Sequence, residues 1–558
     1  MKTDQKKIHH RGKVGALPLI NAIIDKLGLV ELLKEFIPTH GNETIHAAET
    51  IKLLICNLTL GKMPLYKLEE WSKSLDFRCL NYSKSRGEKQ TDDRFGRALD
   101  KLYQCDRASL MTAIVLKAVK IFNIDLSRIH NDSTSVKAYG QIPGKTKNGL
   151  ELKRGHSKDF RPDLKQIVFS LSISADGGVP VHHKTYSGNR TDDTTHIETW
   201  NTLCKISNSF NFLYVADSKL ASDEQLHYIE ANGGRAITIM PNSWGESISF
   251  KEKLKKTTIT KTEIWRRTKP GTRDEKEYFS AFNGNYFTTE RGYRIHWIFS
   301  SSKKDRDRKE RIARLEKTEK LLGTLNSKIN ERNLKTEDQI IHAVQEILAQ
   351  CKTEELFDIE LGATSEFEIK QTTRGRPGLN TRHEKIITKI ITLHWARNKK
   401  KIKEEMNIDG IFPLLSTDKN LSSRETLIAY KYQPRLEKRF TQFKDIHNAA
   451  PLLFKNVERV EANMFVFFLA LMIQALIERK IRTNMKEKGI DQIDLYPEHR
   501  CSKYPTANAV FELFEPVSTY EIIQEKKVVE EFKDELTETQ KLVLKLLNIS
   551  KEKYWVAS

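Results

Sequence analysis

Two aspartates and one glutamate supply the hard oxygen ligands that a divalent cation prefers. Asp132 lies in RIHNDSTSVKAYG, just after the apolar run Leu126–Ile129, and Asp217 lies in NFLYVADSKLASDEQL, just after Phe212–Val215. The carboxyl end of a strand in an open α/β sheet is where such sheets gather their ligands. If the two strands are neighbours, the pair can hold Mg2+, with waters and substrate phosphates completing the shell. Each residue alone has a plainer reading. Asp132 in Asn-Asp-Ser-Thr makes a turn, and Asp217 ties down a loop before a helix that Ser222 caps with Gln225.

A third group of side chains comes much later, in Arg424–Lys444, RETLIAYKYQPRLEKRFTQFK. Tyr430, Glu437 and Lys444 recur at a spacing close to two helical turns, so Glu437 and Lys444 share a face if the segment is one helix. On that stripe the acid can serve as a metal ligand and the ammonium as a phosphate contact. The alternative is a solvated charged face. Pro434 starts or kinks the helix, which puts Tyr430 on the approach to it.

Positioning these groups takes a sheet and a helix, and the texture of the chain supplies both. Residues 14–122 read as helical, with Leu17, Ile20, Ile23, Ile24 and Leu27 at helical spacing and similar patterns in Glu49–Leu60 and Arg107–Phe122. From Ile124 the runs become short and β-rich: Leu126–Ile129, Gln166–Ile173, Val179–Thr185, Phe212–Val215 and Ala236–Met240, with helices near His196–Ile206 and Asp223–Ala231. That order predicts a mixed α/β sheet with a crossover helix between its fourth and fifth strands. Residues 244–418 interrupt it with strand-like runs and a charged helical hairpin. The first arm of the hairpin carries Ile312, Leu315, Leu322, Leu325 and Ile329, and the second opens on a Thr336/Gln339 capping box. Further strand-like runs fall at Phe357–Leu361, Lys385–Leu393 and Ile411–Leu415, before long helices over Glu425–Ala449 and Val457–Lys486. Residues 491–558 read as mixed helix and loop.

Composition narrows the function classes. The 558 residues carry 94 Lys and Arg against 74 Asp and Glu, a formal charge of +20, which points to a polyanionic partner, nucleic acid first, with a merely solvated basic surface as the alternative. The six cysteines are scattered, without zinc-ligand spacing or a disulfide framework, and fit a reducing cytoplasm. No signal-peptide pattern follows Met1–Lys13, so export is not expected. Met464–Ile477 is apolar but short for a membrane span and contains Gln474, which favours a buried helix.

Asp132 in NDSTS, Asp217 in VADSKLAS and the Tyr430, Glu437, Lys444 spacing together resemble the DDE transposases of bacterial insertion sequences, specifically the branch called family sixteen-thirty-four within the wider family-four group. Flanking stretches agree: GALPLINAIIDKLGLVELL, KMPLYKLEEW, RGHSKDFRPDLKQIVFSL and DGIFPLLSTDKNLS. The likeness runs from about residue 14 to residue 490, and its specificity lies in the order and context of the motifs. One position departs: the family has an Arg three residues after its Tyr, where this chain has Gln433. A register starting from Tyr432 would supply Arg435 but would put Arg439 where the acid must be, so the register ending on Glu437 is kept.

The resemblance implies an α/β, RNase H-like catalytic core with a long mixed α+β insertion, preceded by a helical N-terminal module. The parts are then residues 1–122 as that module, a candidate for DNA-end recognition, 123–243 and 419–490 as the two pieces of the core, 244–418 as the insertion and 491–558 as a tail. It implies phosphoryl transfer on DNA: two Mg2+ ions, replaceable by Mn2+, held by Asp132, Asp217 and Glu437, with Lys444 and Tyr430 on a phosphate near the cut. Its implied partners are the inverted-repeat ends and target duplex, with a homodimer on DNA in a bacterial cytoplasm. In the insertion, Trp244, Trp265 and Trp297 are candidates to stack on a displaced base. Trp297, in IHWIFS, alternates like a buried strand residue, so core packing is the preferred reading there. A nuclease of the same fold that cuts without joining, and an inactive DNA-binding remnant of a mobile element, are the competing expectations.

Overall fold

The structure is a computed structural model that describes residues 8–39, 43–61, 63–64, 67–83, 87, 89–138, 142–155, 163–191, 194–269, 272, 274–283, 288–331, 333–372, 374–376, 378, 381–446, 454, 456–524 and 527–555. Residues 1–7, parts of KMPLYKLEEW, residues 156–162 of RGHSKDFRPDLKQIVFSL, and residues 447–449 of the helix expected over Glu425–Ala449 lie outside the described residues. The chain divides into two compact units, residues 1–238 with 428–558, and residues 239–427.

The first unit begins with β1 (Ile8–Lys13) and the helices α1 (Leu17–Leu27), α2 (Leu29–Phe36), α3 (Ala47–Leu60), α4 (Leu68–Lys73), α5 (Asp92–Gln104) and α6 (Arg107–Phe122). The helical spacing read in the sequence becomes the buried stripe of α1, where Leu19, Ile20, Ile23, Ile24 and Leu27 are all buried. Side-chain caps mark the starts: Thr91 accepts from the Arg94 N–H at α5, and Asp106 from the Ser109 N–H at α6.

A mixed sheet follows, built from β2 (Arg128–Lys137), β3 (Gln166–Ser174), β4 (Pro180–Ser187), β5 (Leu213–Val215) and β6 (Arg235–Ile239), in the spatial order β4-β3-β2-β5-β6. The first three strands are antiparallel neighbours, whereas β2, β5 and β6 run parallel. Between β4 and β5 the chain passes through α7 (His196–Ser207), and between β5 and β6 through α8 (Asp223–Ala231), the crossover that parallel strands require. Ser222 caps α8 by accepting from the Gln225 N–H at 3.3 Å, as read from the sequence.

Residues 239–427 form the second unit. After α9 (Gly245–Lys256), strands β7 (Lys261–Thr268), β8 (Lys276–Phe282) and β9 (Arg294–Ser300) form an antiparallel run. Then comes the expected helical hairpin, α10 (Ser301–Asn326) and α11 (Glu337–Cys351), with the Thr336/Gln339 capping box in place. Next, β10 (Phe357–Gln371) and β11 (His383–Arg397) form a two-stranded antiparallel ribbon of fifteen residues per strand. Leu315, Leu322, Ile340, Val344 and Leu348 of the hairpin share one core with Phe357, Ile391 and Leu393 at the base of the ribbon. After α12 (Lys399–Met406), β12 (Ile411–Ser416) pairs antiparallel with β9. Arg311 binds Asp409 through two hydrogen bonds, 2.6 and 2.8 Å, inside this unit.

The chain returns to the first unit through α13 (Ser423–Tyr430), across which the division falls. The single long helix expected over Glu425–Ala449 is replaced by three pieces: α13, α14 (Pro434–Thr441) and a π-helical turn at Gln442–Ile446. Pro434, at the first position of α14, has no N–H to continue a helix from α13 and its ring sets the φ of a new start. Next is α15 (Val457–Glu487), in which every residue from Ala462 to Glu478 is buried against α3, α5 and β4, among others. It is the one helix among the described residues long and apolar enough to cross a membrane, and 94% of its apolar window is buried in the fold. Gln474, the polar residue in that run, donates to the Thr59 carbonyl at 2.9 Å.

Residues 491–558 contain more strand than their sequence shows: β13 (Ile493–Tyr496), β14 (Arg500–Ser502), α16 (Ala507–Phe514), β15 (Ser518–Gln524), β16 (Lys527–Lys533), α17 (Glu538–Leu547) and α18 (Lys551–Trp555). The central strand of their larger sheet, β15, pairs with β1 on one side and β16 on the other. Much of this strand sequence is charged and exposed, so it lacks the apolar alternation that marks a half-buried strand.

Candidate active site

Asp132 sits inside β2, not in a turn after a strand ending at Ile129. Asn-Asp-Ser-Thr is turn-prone because its side chains compete for backbone groups. Here the sheet satisfies them instead: Asn131 Nδ2 donates to Ser172 Oγ at 2.9 Å and to Ser170 Oγ at 3.2 Å on β3. Asp217 follows β5 after Ala216 and caps a short 3-10 helix, Ser218–Leu220, by accepting from the Lys219 N–H at 3.1 Å. Its carbonyl accepts from Thr238 Oγ1 at 2.5 Å, which fixes the strand exit against β6.

The register sets these two residues level with one another on adjacent segments. On the parallel β2–β5 pair, Arg128 faces Leu213, Ile129 faces Tyr214 and His130 faces Val215. The same offset carried two residues further sets Asp132 opposite Asp217, and neighbouring strands lie about 4.8 Å apart. Both aspartates are half-buried.

Glu437 lies in the first turn of α14 and is exposed, while Leu436, Arg439 and Phe440 of the same helix point inward. Two inward residues fix how the helix lies. Arg439 donates to the Gly178 carbonyl at 3.0 Å and the Gly177 carbonyl at 3.2 Å, in the β3–β4 turn, and forms a buried ion pair with Glu478 of α15 at 3.0 Å. Gln433, just before the helix, reaches β2: its Nε2 donates to the Asn131 carbonyl at 3.1 Å, and its Oε1 lies 3.0 Å from His130 Nδ1. An amide oxygen only accepts, so the ring nitrogen carries the proton in that bond. His130 Nε2 is buried without a hydrogen-bond partner among the described residues. Burial, with a small contribution from Arg128 set against the Gln433 hydrogen bond, lowers the ring to about 4, so it is neutral near pH 7.

Tyr430 lies within electrostatic reach of all three acids. Burial pushes its phenol up to about 12, helped in order by the charges of Asp217, Asp132 and Glu437. One hydroxyl thus senses all three carboxylates that the sequence singles out, although they lie far apart along the chain. Tyr432, the start of the alternative register, has other neighbours: it contacts the His130 ring at 5.0 Å between centroids, and Arg128 lies over its face at 5.9 Å. Lys444 is half-buried within the π turn, so the plain two-turn α-helical spacing from Glu437 does not hold across the segment.

Three carboxylates suit a hard divalent cation in chemistry. Among the described residues, however, no group of three or more His, Cys, Asp or Glu side chains lies close enough to hold a metal ion. Both aspartates instead turn an oxygen to backbone N–H groups, of Ser133 at 2.7 Å and of Lys219 at 3.1 Å.

The tryptophans belong to the second unit. Trp297 is a core residue, 2% exposed and stacked on Phe250 at 4.0 Å, and so offers no open face to a base; its strand alternation already favoured that reading. Trp265 is half-exposed, stacked on Phe279 at 5.2 Å with Arg267 over its ring at the same distance. Trp244 is half-exposed just before α9.

His130 is the residue that sequence reasoning missed. Its signal was the period of a strand: two places before Asp132, it lies on the same face of β2.

A family model described as a domain of unknown function (DUF4277) matches residues 9–116, most of the stretch that folds as β1 and α1–α6. No curated protein matches the chain. A solved structure described as a piggyBac transposase synaptic complex with hairpin DNA is similar over 83% of each chain at 9% identity, with a TM-score of 0.28, too loose a superposition to carry an argument.

Proposed function

We propose that this chain is a DNA transposase of the insertion-sequence type, with an RNase H-like core and a DDE centre made of Asp132, Asp217 and Glu437. One observation carries the reading: the register of the parallel β2–β5 pair, continued past the end of β5, sets Asp217 level with Asp132, and Glu437 sits on the helix that Gln433 ties to β2. The strand order β4-β3-β2-β5-β6, antiparallel on one side and parallel on the other, supports the same core. So do the motifs of the family sixteen-thirty-four branch and the charge of +20, since duplex DNA is a polyanion.

The three carboxylates are not gathered closely enough here to hold a metal ion, so divalent ions, Mg2+ or Mn2+, would have to draw them together. So bound, the ions would supply the charge stabilisation that attacking and leaving oxygens need in an in-line displacement at phosphorus. The chain's own residues would orient the DNA. Tyr430, kept protonated by burial first and by the neighbouring acids second, would donate a hydrogen bond to a phosphate oxygen, and Lys444 would offer a positive charge.

The test is to incubate the purified protein with its flanking inverted repeats and Mg2+, map the cut ends, and then supply pre-cleaved ends with target DNA. Cleavage at the repeat boundary with joined product is expected. Nicks without joining would identify a nuclease, and cleavage untouched by Asp132→Asn, Asp217→Asn and Glu437→Gln would remove the DDE assignment.

A further inference from the structure

The β10–β11 ribbon is held at its base and bare beyond it. Phe357, Ile391 and Leu393 are buried with the helical hairpin, and Lys389 pairs with Glu337 of α11 at 2.6 Å. From Ala363 to Lys370 on one strand and from His383 to Lys389 on the other, every residue is exposed. At about 3.3 Å per residue this bare part is about 25 Å long. A lone two-stranded ribbon is marginal in water, so an arm of this length is expected to meet a partner.

Register and charge identify that partner. Phe367 faces Ile387 and Ile369 faces Lys385 on one face of the ribbon, whereas Glu366, Glu368 and Glu384 lie on the other. The Lys385 ammonium sits over the Phe367 ring at 4.2 Å, so the first face is basic as well as apolar. At the tip come Arg374, Gly375 and Arg376, with Arg382 across the loop. Among the described residues no ion pair occupies these three arginines, although acids are close by in the sequence. The loop is shaped by hydrogen bonds: Gln371 Nε2 donates to the Gly375 carbonyl at 3.0 Å, and Thr372 donates through N and Oγ1 to the Arg382 carbonyl at 3.0 and 2.9 Å. Gly375 has φ +133, a conformation that a side chain would strain, and nothing lies within 4 Å of where its Cβ would be. A two-stranded ribbon is too wide for the minor groove and fits only the major one, but extended guanidinium groups at its tip are drawn into the narrow, strongly negative minor groove of A·T-rich duplex.

We propose that the β10–β11 ribbon is a DNA-binding arm whose tip arginines, Arg374 and Arg376, enter the minor groove of A·T-rich duplex while the acidic face of the ribbon stays turned away. The proposal rests on duplex DNA being the substrate and adds where, and with what base preference, the second unit holds it.

Binding of the full-length protein to A·T-rich and G·C-rich duplexes of equal length, by fluorescence anisotropy over a range of salt, tests it without any need for cleavage. Wild type is expected to prefer the A·T-rich duplex. The double variant Arg374→Ala/Arg376→Ala, at exposed positions and with an unchanged melting curve, is expected to lose about tenfold in affinity for it, the preference, and part of the salt dependence. Wild type without A·T preference, or a double variant that binds both duplexes like wild type, overturns the arm. So does a Phe367→Ser variant that dissociates a dimer while binding DNA unchanged, which would make the ribbon a contact between two copies of this chain. Asp132→Asn assayed in parallel keeps the two readings apart: retained cleavage in that variant defeats the DDE centre and leaves the binding result standing.

Discussion

His130 Nδ1 and Gln433 Oε1 lie 3.0 Å apart, joining the strand that carries Asp132 to the turn that launches the helix of Glu437. Gln433 occupies the place where the resembled family carries an Arg, and the contact gives a reason for the exchange. A neutral imidazole that donates from Nδ1 needs an acceptor, which an amide provides and a guanidinium does not. The amide nitrogen of the same side chain donates to the Asn131 carbonyl beside Asp132.

Gln433→Leu should therefore strand a buried ring N–H and a buried carbonyl. A loss of about 2–4 kcal/mol in unfolding free energy is expected, measured by urea titration. Gln433→Arg should be at least as damaging in stability. A fully stable Gln433→Leu protein would show that the bridge does not hold the helix to β2.

The Tyr430 phenol offers a test of whether the acids converge. Its titration, taken as the ultraviolet difference between wild type and Tyr430→Phe, should lie near 12 and move down toward the ordinary value of 10 in Asp217→Asn, with smaller shifts in Asp132→Asn and Glu437→Gln. An unmoved titration in all three would mean that the carboxylates do not share a site.

Glu437 is exposed, so Glu437→Gln should melt like wild type. Its cleavage rate should nevertheless fall by at least about a hundredfold, because charge stabilisation of phosphoryl transfer is worth several kcal/mol. An equal loss of stability would make the residue structural.

Acid stability should depend on Glu478. Burial raises its carboxyl, but Arg439 and Arg482 outweigh that and hold it below the usual 4.5. A carboxyl whose folded value is depressed stabilises the fold fully above its unfolded value and loses that contribution as pH falls through the lower folded value. Glu478→Gln should cost about 3–5 kcal/mol at pH 7, by leaving Arg439 buried and unpaired. It should also flatten the decline of stability below pH 4.5. A variant with the wild-type pH profile would assign the acid sensitivity elsewhere.

Much of this arrangement is legible in the residues, and the gaps have physical causes. The strands Gln166–Ser174 and Leu213–Val215 follow from apolar β-rich runs, and the Thr336/Gln339 box from local capping chemistry. Asp132 looks like a turn residue because its neighbours are polar, and only β3, contributing Ser170 and Ser172, makes a strand there affordable to Asn131. The run Phe357–Leu361 and the end of the run Lys385–Leu393, from Ile390 on, mark the base of the ribbon, but its outer half has no core to imprint alternation on it. The break between α13 and α14 is signalled by Pro434, whereas the π turn that carries Lys444 has no comparable signal.

The pairing of β1 with β15 has a consequence for synthesis. Arg11 Nε donates to Ser518 Oγ at 3.0 Å, a contact between residues 507 apart in the chain. At ribosomal speeds of about 5–20 residues per second, the first strand waits about 25–100 seconds for its partner to emerge. Glu437 likewise follows both aspartates off the ribosome, so no shorter nascent chain holds all three acids. A first strand left without its partner until the chain is nearly made, and a proposed cutting centre that assembles only late in translation, follow from the same topology.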